Sequence, residues 1–282
     1  MGAGLALGAA LFFGAGDFLG GLATRRSNVF AAVLISQTSG TVLLALIVPI
    51  LPPAHPAAVD FGWAAAAGLV GGIGVGFLYV GLATGAMTVV APITGVLAAA
   101  IPVGFGTALG ERPGATADLG ILLAVGAVVL LSRGGSASPS RHRTSSGRRS
   151  VLFAAAAGTA FGVFYIFLAQ VGAHAGLSPL LALRGAATAP FLAVALWRRP
   201  ALRLPIRVLR IPIAGGIFDI IGNVLYLLAV HRGLLSLVAV LASLYPVSTV
   251  LLAWLLLRER LRHLQIAGLA CAAAAIALIT AP

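Results

Sequence analysis

Residues 133–150 read RGGSASPSRHRTSSGRRS, the one low-complexity stretch of a 282-residue chain that is apolar almost throughout. Ser, Gly and Arg cannot bury enough apolar area to order such a segment, so it reads as a flexible linker. Working outward, five apolar runs precede it, at about residues 3–22, 30–51, 62–83, 88–110 and 116–132. Five follow, at about 151–172, 178–197, 210–230, 235–257 and 263–281. A membrane-spanning helix needs roughly 20 apolar residues, so ten of them use about 200 and leave about 80 for connections. Hydrophobic residues make up 60% of the chain and charged residues 9%, against about 25% charged in an ordinary soluble domain. A soluble fold is excluded, and no length remains for a soluble catalytic domain. The expected architecture is an all-α membrane protein of ten transmembrane helices, with a first five-helix repeat over 1–132, a linker over 133–150 and a second five-helix repeat over 151–282. The first run lacks a basic leader and has a counterpart at the start of the second half, so it reads as a span and not as a cleaved signal peptide.

The halves are related in sequence. A shift of 148 residues, without gaps, sets Phe13-Gly14 on Phe161-Gly162, Gly68 on Gly216, Gly74 on Gly222 and Gly85 on Gly233. It also sets Val90-Ala91 on Val238-Ala239, Glu111-Arg112 on Glu259-Arg260 and Gly120 on Gly268. The matches reach all but the second span of each half. With an odd number of spans per unit, the second unit enters the membrane upside down. Inverted repeats are a transporter architecture, with the substrate site near the bilayer midplane between them.

All 18 basic residues are Arg, and the net charge is +12. In a soluble domain this balance would suggest nucleic acid. Here the arginines cluster between apolar runs, where they meet headgroups and set topology, so no nucleic-acid partner is expected. Loops after odd-numbered spans hold fifteen of them: Arg25, Arg26, Arg133, Arg141, Arg143, Arg148, Arg149, Arg198, Arg199, Arg203, Arg207, Arg210, Arg258, Arg260 and Arg262. Loops after even-numbered spans hold Arg112 and Arg232. The positive-inside rule then puts the odd loops in the cytoplasm and both termini outside a cell membrane. Cys271 is the single cysteine, so neither an internal disulfide nor a cysteine metal site is possible.

Residues Gly233–Ile276 carry a further signal: Ala242-Ser243-Leu244-Tyr245-Pro246-Val247, then Leu251-Leu252-Ala253-Trp254-Leu255-Leu256-Leu257-Arg258-Glu259-Arg260-Leu261. This pattern resembles the EamA-type repeat of the drug/metabolite transporter superfamily, in which a Pro in the ninth helix is followed by an apolar run ending in a Gly-Glu-Arg-like turn. The first half has Leu109-Gly110-Glu111-Arg112 at the matching turn, but Ala98 where the Pro belongs, with Pro92 and Pro102 nearby. The resemblance covers essentially the whole chain. It implies a ten-helix secondary transporter of small metabolites and, for many members, both termini inside. The arginine census points the other way and acts directly on insertion, so it sets the expectation here.

Polar residues within the spans mark the candidate site. Asp219 falls about nine residues into the eighth span, about 14 Å along a helix and close to the midplane of a core about 30 Å thick. A carboxylate there is costly unless paired, hydrated or protonated. Asn223 and Tyr226 follow at i+4 and i+7, and the three are expected to line a cavity; a structural contact between helices is the alternative. Arg184, in the seventh span, is the one arginine inside a span. Its planar fork suits a substrate carboxylate, and it equally suits a permanent pair with Asp219. The resembled family often carries an Arg in this helix, whose first-half counterpart region offers Ser36 and Gln37. Asp17 is either a gate or proton relay, or a carboxylate reaching headgroup water or Arg25. The shift sets Asp17 over Tyr165, and Tyr165 and Gln37 join the candidate cavity. Gln170 and Tyr79 are weaker candidates, since neutral polar side chains commonly join helices. His174 and His231 read as surface residues of short loops. Glu111 and Glu259 recur at equivalent turns before a helix whose N-terminal dipole favours a carboxylate, which is a structural role.

No Gly-x-Ser-x-Gly, His-Glu-x-x-His or phosphate-binding Gly-x-x-x-x-Gly-Lys motif occurs, so no enzyme, cofactor or metal site is expected. The reading is a secondary transporter or exporter of a small organic metabolite, an amino acid or drug-like compound, working by alternating access. Aspartate protonation is the natural coupling switch; uniport and exchange stay open. A lipid or lipid-linked sugar flippase is the alternative. From another class, an intramembrane enzyme or a non-transporting membrane partner would need convergent acid, base or metal groups at one depth. The expected partners are a small-molecule substrate, protons and the lipid bilayer, with monomer and homodimer both open.

Overall fold

The computed structural model describes residues 1–24, 29–84, 87–134, 147–198, 206–258 and 260–281. These form α1 (Gly2–Thr24), α2 (Val29–Ile47), α3 (Ala58–Thr84), α4 (Met87–Ala108), α5 (Ala115–Gly134) and α6 (Gly147–Ala169). They continue as α7 (Pro179–Arg198), α8 (Ile206–Val230), α9 (Leu235–Ala242), α10 (Tyr245–Leu257) and α11 (His263–Thr280). Among the described residues there is no strand. Among the described residues nine segments are long and apolar enough to cross a membrane, and α4 holds the fourth-span position. The protein is thus an all-helical membrane protein of two inverted repeats. Of the expected linker, residues 135–146 lie outside the described residues, while α5 runs to Gly134 and α6 begins at Gly147.

The ninth span, expected as one helix over 235–257, is two. α9 stops at Ala242 and α10 starts at Tyr245. Pro246 has no N–H to continue the helical ladder, and the Ser243 hydroxyl donates to the Val240 carbonyl at 2.7 Å, a local bond that competes with helix continuation. α10 lies against α1, where Thr249 Oγ1 donates to the Gly14 carbonyl at 3.1 Å.

Packing repeats the sequence symmetry. α1 lies on α8 as α6 lies on α3; α2 lies on α8 as α7 lies on α3; α1 meets α9 and α10 as α6 meets α4; and α5 pairs with α11. The shared glycines explain why. Gly74 faces Phe161 and Gly222 faces Phe13, Gly162 abuts Ile101 and Gly14 abuts Thr249, Gly120 abuts Ile279 and Gly268 abuts Leu131, none with free room for a Cβ. Each contact becomes its partner under the 148-residue shift. Close approach of backbones is what holds helices together in lipid, where burial of apolar surface gives no net drive.

The side on which odd-numbered spans end is called here the odd face, and the side on which even-numbered spans end the even face. The even half is tightly filled: Ala6, Ala9, Leu44, Leu168, Val171, Leu180, Leu227 and the buried apolar residues of α9 belong to one core.

Candidate functional site

A cavity of about 260 Å³ lies between the repeats. Its floor is set by Phe13 of α1, Tyr165 of α6, Asn223 of α8 and Tyr245 of α10. From there it extends past Gly20, Ala32, Leu78, Phe191 and Pro212, all in the odd halves of their helices. On the even side it ends at the filled core.

At mid-depth the wall carries its charge. Arg184 is 1% exposed, and its Nη1 lies 2.6 Å from Asp219 Oδ2, whose side chain is 40% exposed. The same nitrogen donates to Gln37 Oε1 at 2.6 Å. The bond to Gln37 of α2 joins the two repeats, and the pair with Asp219 ties α7 to α8 within the second. Room for the guanidinium comes from Gly40, where a Cβ would press on Arg184 Cζ and the Gly216 carbonyl. Arg184 Nε and Nη2 and Asn223 Oδ1 are buried and have no partner within the protein. The Asn223 amide nitrogen is spent on its own helix, donating to the Asp219 carbonyl at 2.7 Å. Three buried polar atoms beside the cavity are thus left without a partner, where buried polar groups are nearly always hydrogen-bonded.

The other expected residues divide. Asp17 and Tyr165 line the cavity beside Asp219. Asp17 is exposed, and among the described residues two carboxylates share the space with one guanidinium. The alternative partner for Asp17, Arg25, lies outside the described residues. Tyr226, expected on the lining, stands apart from it. Tyr226 is wholly buried, stacks on Tyr165 with ring centroids 4.7 Å apart, and donates its hydroxyl to the Tyr165 carbonyl at 3.1 Å. It shares a helical face with Asp219 but sits seven residues nearer the even face, about 10 Å along the helix, beneath the cavity floor.

Of the weaker candidates, Gln170 bonds the Ile166 carbonyl of its own helix, and the side chain of Tyr79 and all of Glu259 lie outside the described residues. His231 is no free surface residue: its Nε2 lies 2.7 Å from the Val171 carbonyl. Glu111 does serve a helix N-terminus, but not that of the helix following it. Its two oxygens accept from Leu235 N at 2.6 Å and Ser236 N at 2.9 Å, capping α9 in the other repeat. Reading the sequence missed Asp60, a buried carboxylate that accepts from Ala57 N and Gly172 N, both at 2.8 Å. It also missed the aromatic wall of Phe13, Phe161, Phe164, Phe191 and Tyr245, whose one visible trace was the helical spacing of Phe161, Phe164 and Tyr165.

The description "EamA-like transporter family" matches residues 1–133 and 148–281, the two repeats without the linker. No curated protein matches the chain. A solved structure named only "Crystal structure of protein" is 18% identical, covers 99% of this chain and 96% of its own, and superposes with a TM-score of 0.77. At that identity the likeness shows a shared fold.

Proposed function

We propose that this chain, which belongs to the EamA-like transporter family, is a secondary transporter that carries a small organic metabolite, an amino acid or drug-like compound, across the cell membrane by alternating access of its two repeats. The observation that carries this reading is the pairing at mid-depth of a buried Arg184 with a partly exposed Asp219, in a cavity where Arg184 keeps unmet donors. Protonating Asp219 weakens its hold on the guanidinium and frees Arg184 for a substrate carboxylate; deprotonation restores the pair and releases the substrate. Aromatic walls take the apolar body. With the arginine-rich odd loops in the cytoplasm, the cavity in this structure faces inward and both termini are outside.

The test is Asp219→Asn in proteoliposomes, measuring uptake of radiolabelled amino acids with and without a pH gradient. The amide keeps the shape and an acceptor oxygen but cannot titrate. Gradient-driven accumulation is expected to vanish while exchange persists. Wild-type gradient-driven accumulation in the variant rules out Asp219 as the coupling group.

A further inference from the structure

We infer that Glu111 and Asp60 are positioning residues of the transport reaction: together they latch the even face shut and set how often the cavity opens toward it. This rests on the alternating-access reading. Both carboxylates belong to the first repeat, and both grip backbone N–H groups of the second. Glu111 takes Leu235 N and Ser236 N, two of the donors that a helix start leaves without an internal partner. Asp60 takes Gly172 N in the turn after α6 while its other oxygen takes Ala57 N. Charge-assisted bonds of this kind are about twice as strong as neutral ones, and at α9 the helix dipole adds to them.

The surroundings are built around these grips. Gly110, at φ +93°, has the left-handed backbone that turns the chain after α4, and at Gly106 a Cβ would overlap the Glu111 carboxylate. Two more ties cross between the repeats on the same face: His55 N donates to the His174 carbonyl at 3.2 Å, and Gly2 lies against the Arg232 carbonyl. An opening toward the even face has to part the repeats here, so the bonds of Glu111 to Leu235 N and Ser236 N, of Asp60 to Gly172 N and of His55 N to the His174 carbonyl must break in every cycle. In a latch of this design, the acceptor atoms govern the equilibrium between the two states of the transporter, beyond any effect on the stability of either.

The test uses full-length protein in oriented vesicles, with Cys271→Ala and a reporter Val75→Cys on the cavity wall, labelled by an impermeant maleimide applied to one face at a time. Labelling from the odd face should be fast and from the even face slow. Glu111→Gln or Asp60→Asn should each raise the even-face rate roughly tenfold, the lost half of a charge-assisted grip, and the pair more. Asp118→Asn, an exposed carboxylate in the first turn of α5, should leave it unchanged. A second arm needs no weakened protein: His55→Cys with His174→Cys, oxidised, should stop flux until a reductant is added, with odd-face labelling kept. Even-face labelling that stays slow in both single variants and the pair, with flux still stopped by the disulfide, overturns the latch alone. Full flux through the disulfide-locked protein overturns alternating access itself.

Discussion

The fourth and ninth spans hold equivalent places in the two repeats, and they differ in kind. α4 runs unbroken from Met87 to Ala108, whereas the ninth span breaks between Ala242 and Tyr245. Three positions account for it under the 148-residue shift: Gly95 against Ser243, Leu97 against Tyr245 and Ala98 against Pro246. In α4, Leu97 packs against Gly158 and Gly162 of α6; at the break, Tyr245 also presses its carbonyl on Gly14 of α1, yet its ring reaches the cavity. The same division runs through the site. Asp219 matches Gly71, Asn223 matches Val75 and Arg184 matches Ser36. Contacts that set the helices side by side obey the symmetry, and the residues that carry chemistry break it.

The largest effect should come from testing the symmetric part. Gly68 meets the backbone of Leu183, and Gly216 meets the backbone of Ser36, with no space for a Cβ at either. Gly68→Val and Gly216→Val should each cost about 3 kcal/mol or more and yield little monodisperse protein in detergent. Collapse of one with survival of the other would break the claim that the two seams are equivalent.

Next come the charges, where the halves differ. Because Arg184 is 1% exposed and Asp219 40%, removing the carboxylate strands a guanidinium with no access to water. Asp219→Leu should therefore cost about 3–5 kcal/mol. Arg184→Leu should cost distinctly less, since the stranded carboxylate reaches water, and the double variant should recover most of the loss. Thermal melting of all three in detergent checks the order; equal losses in the two single variants would mean that the pair is equally buried on both sides.

The smallest change in stability is expected at the break. Pro246→Ala returns one N–H and should shift stability by no more than about 1 kcal/mol, while uptake per folded molecule falls about tenfold as Tyr245 swings with the mended helix. Uptake at the wild-type rate would show that Pro246 does not hold Tyr245 in place.

Much of this was legible in the chain because membranes make few demands and make them strictly. Spans can be counted from apolar length, and the aligned pairs Gly14 and Gly162, Gly68 and Gly216, Gly74 and Gly222, and Gly120 and Gly268 are glycines whose Cβ would meet a neighbouring helix. Arg184 and Asp219 stood out because a charge in hydrocarbon needs a reason. Tyr226 misled because helical periodicity reports which side of a helix a residue faces and says nothing of where a cavity ends. Asp60 escaped because it stands two residues before the apolar run at 62, where an acidic residue looks like ordinary loop. The aromatic wall escaped because Phe among Leu and Ala has no signature that separates lining from core.

Arg184 stands where the two repeats meet: the 148-residue shift sets Ser36 beneath it, and its Nη1 bonds Gln37, the next residue along α2. Two identical halves assembled in this way would bring two guanidiniums to one point, repelling at close range in a medium of low dielectric. A repeat that paired with its own copy would therefore have to keep a neutral residue there, as Ser36 is. A lone positive charge on such an axis demands halves of different sequence, which covalent fusion of the two repeats into one chain supplies.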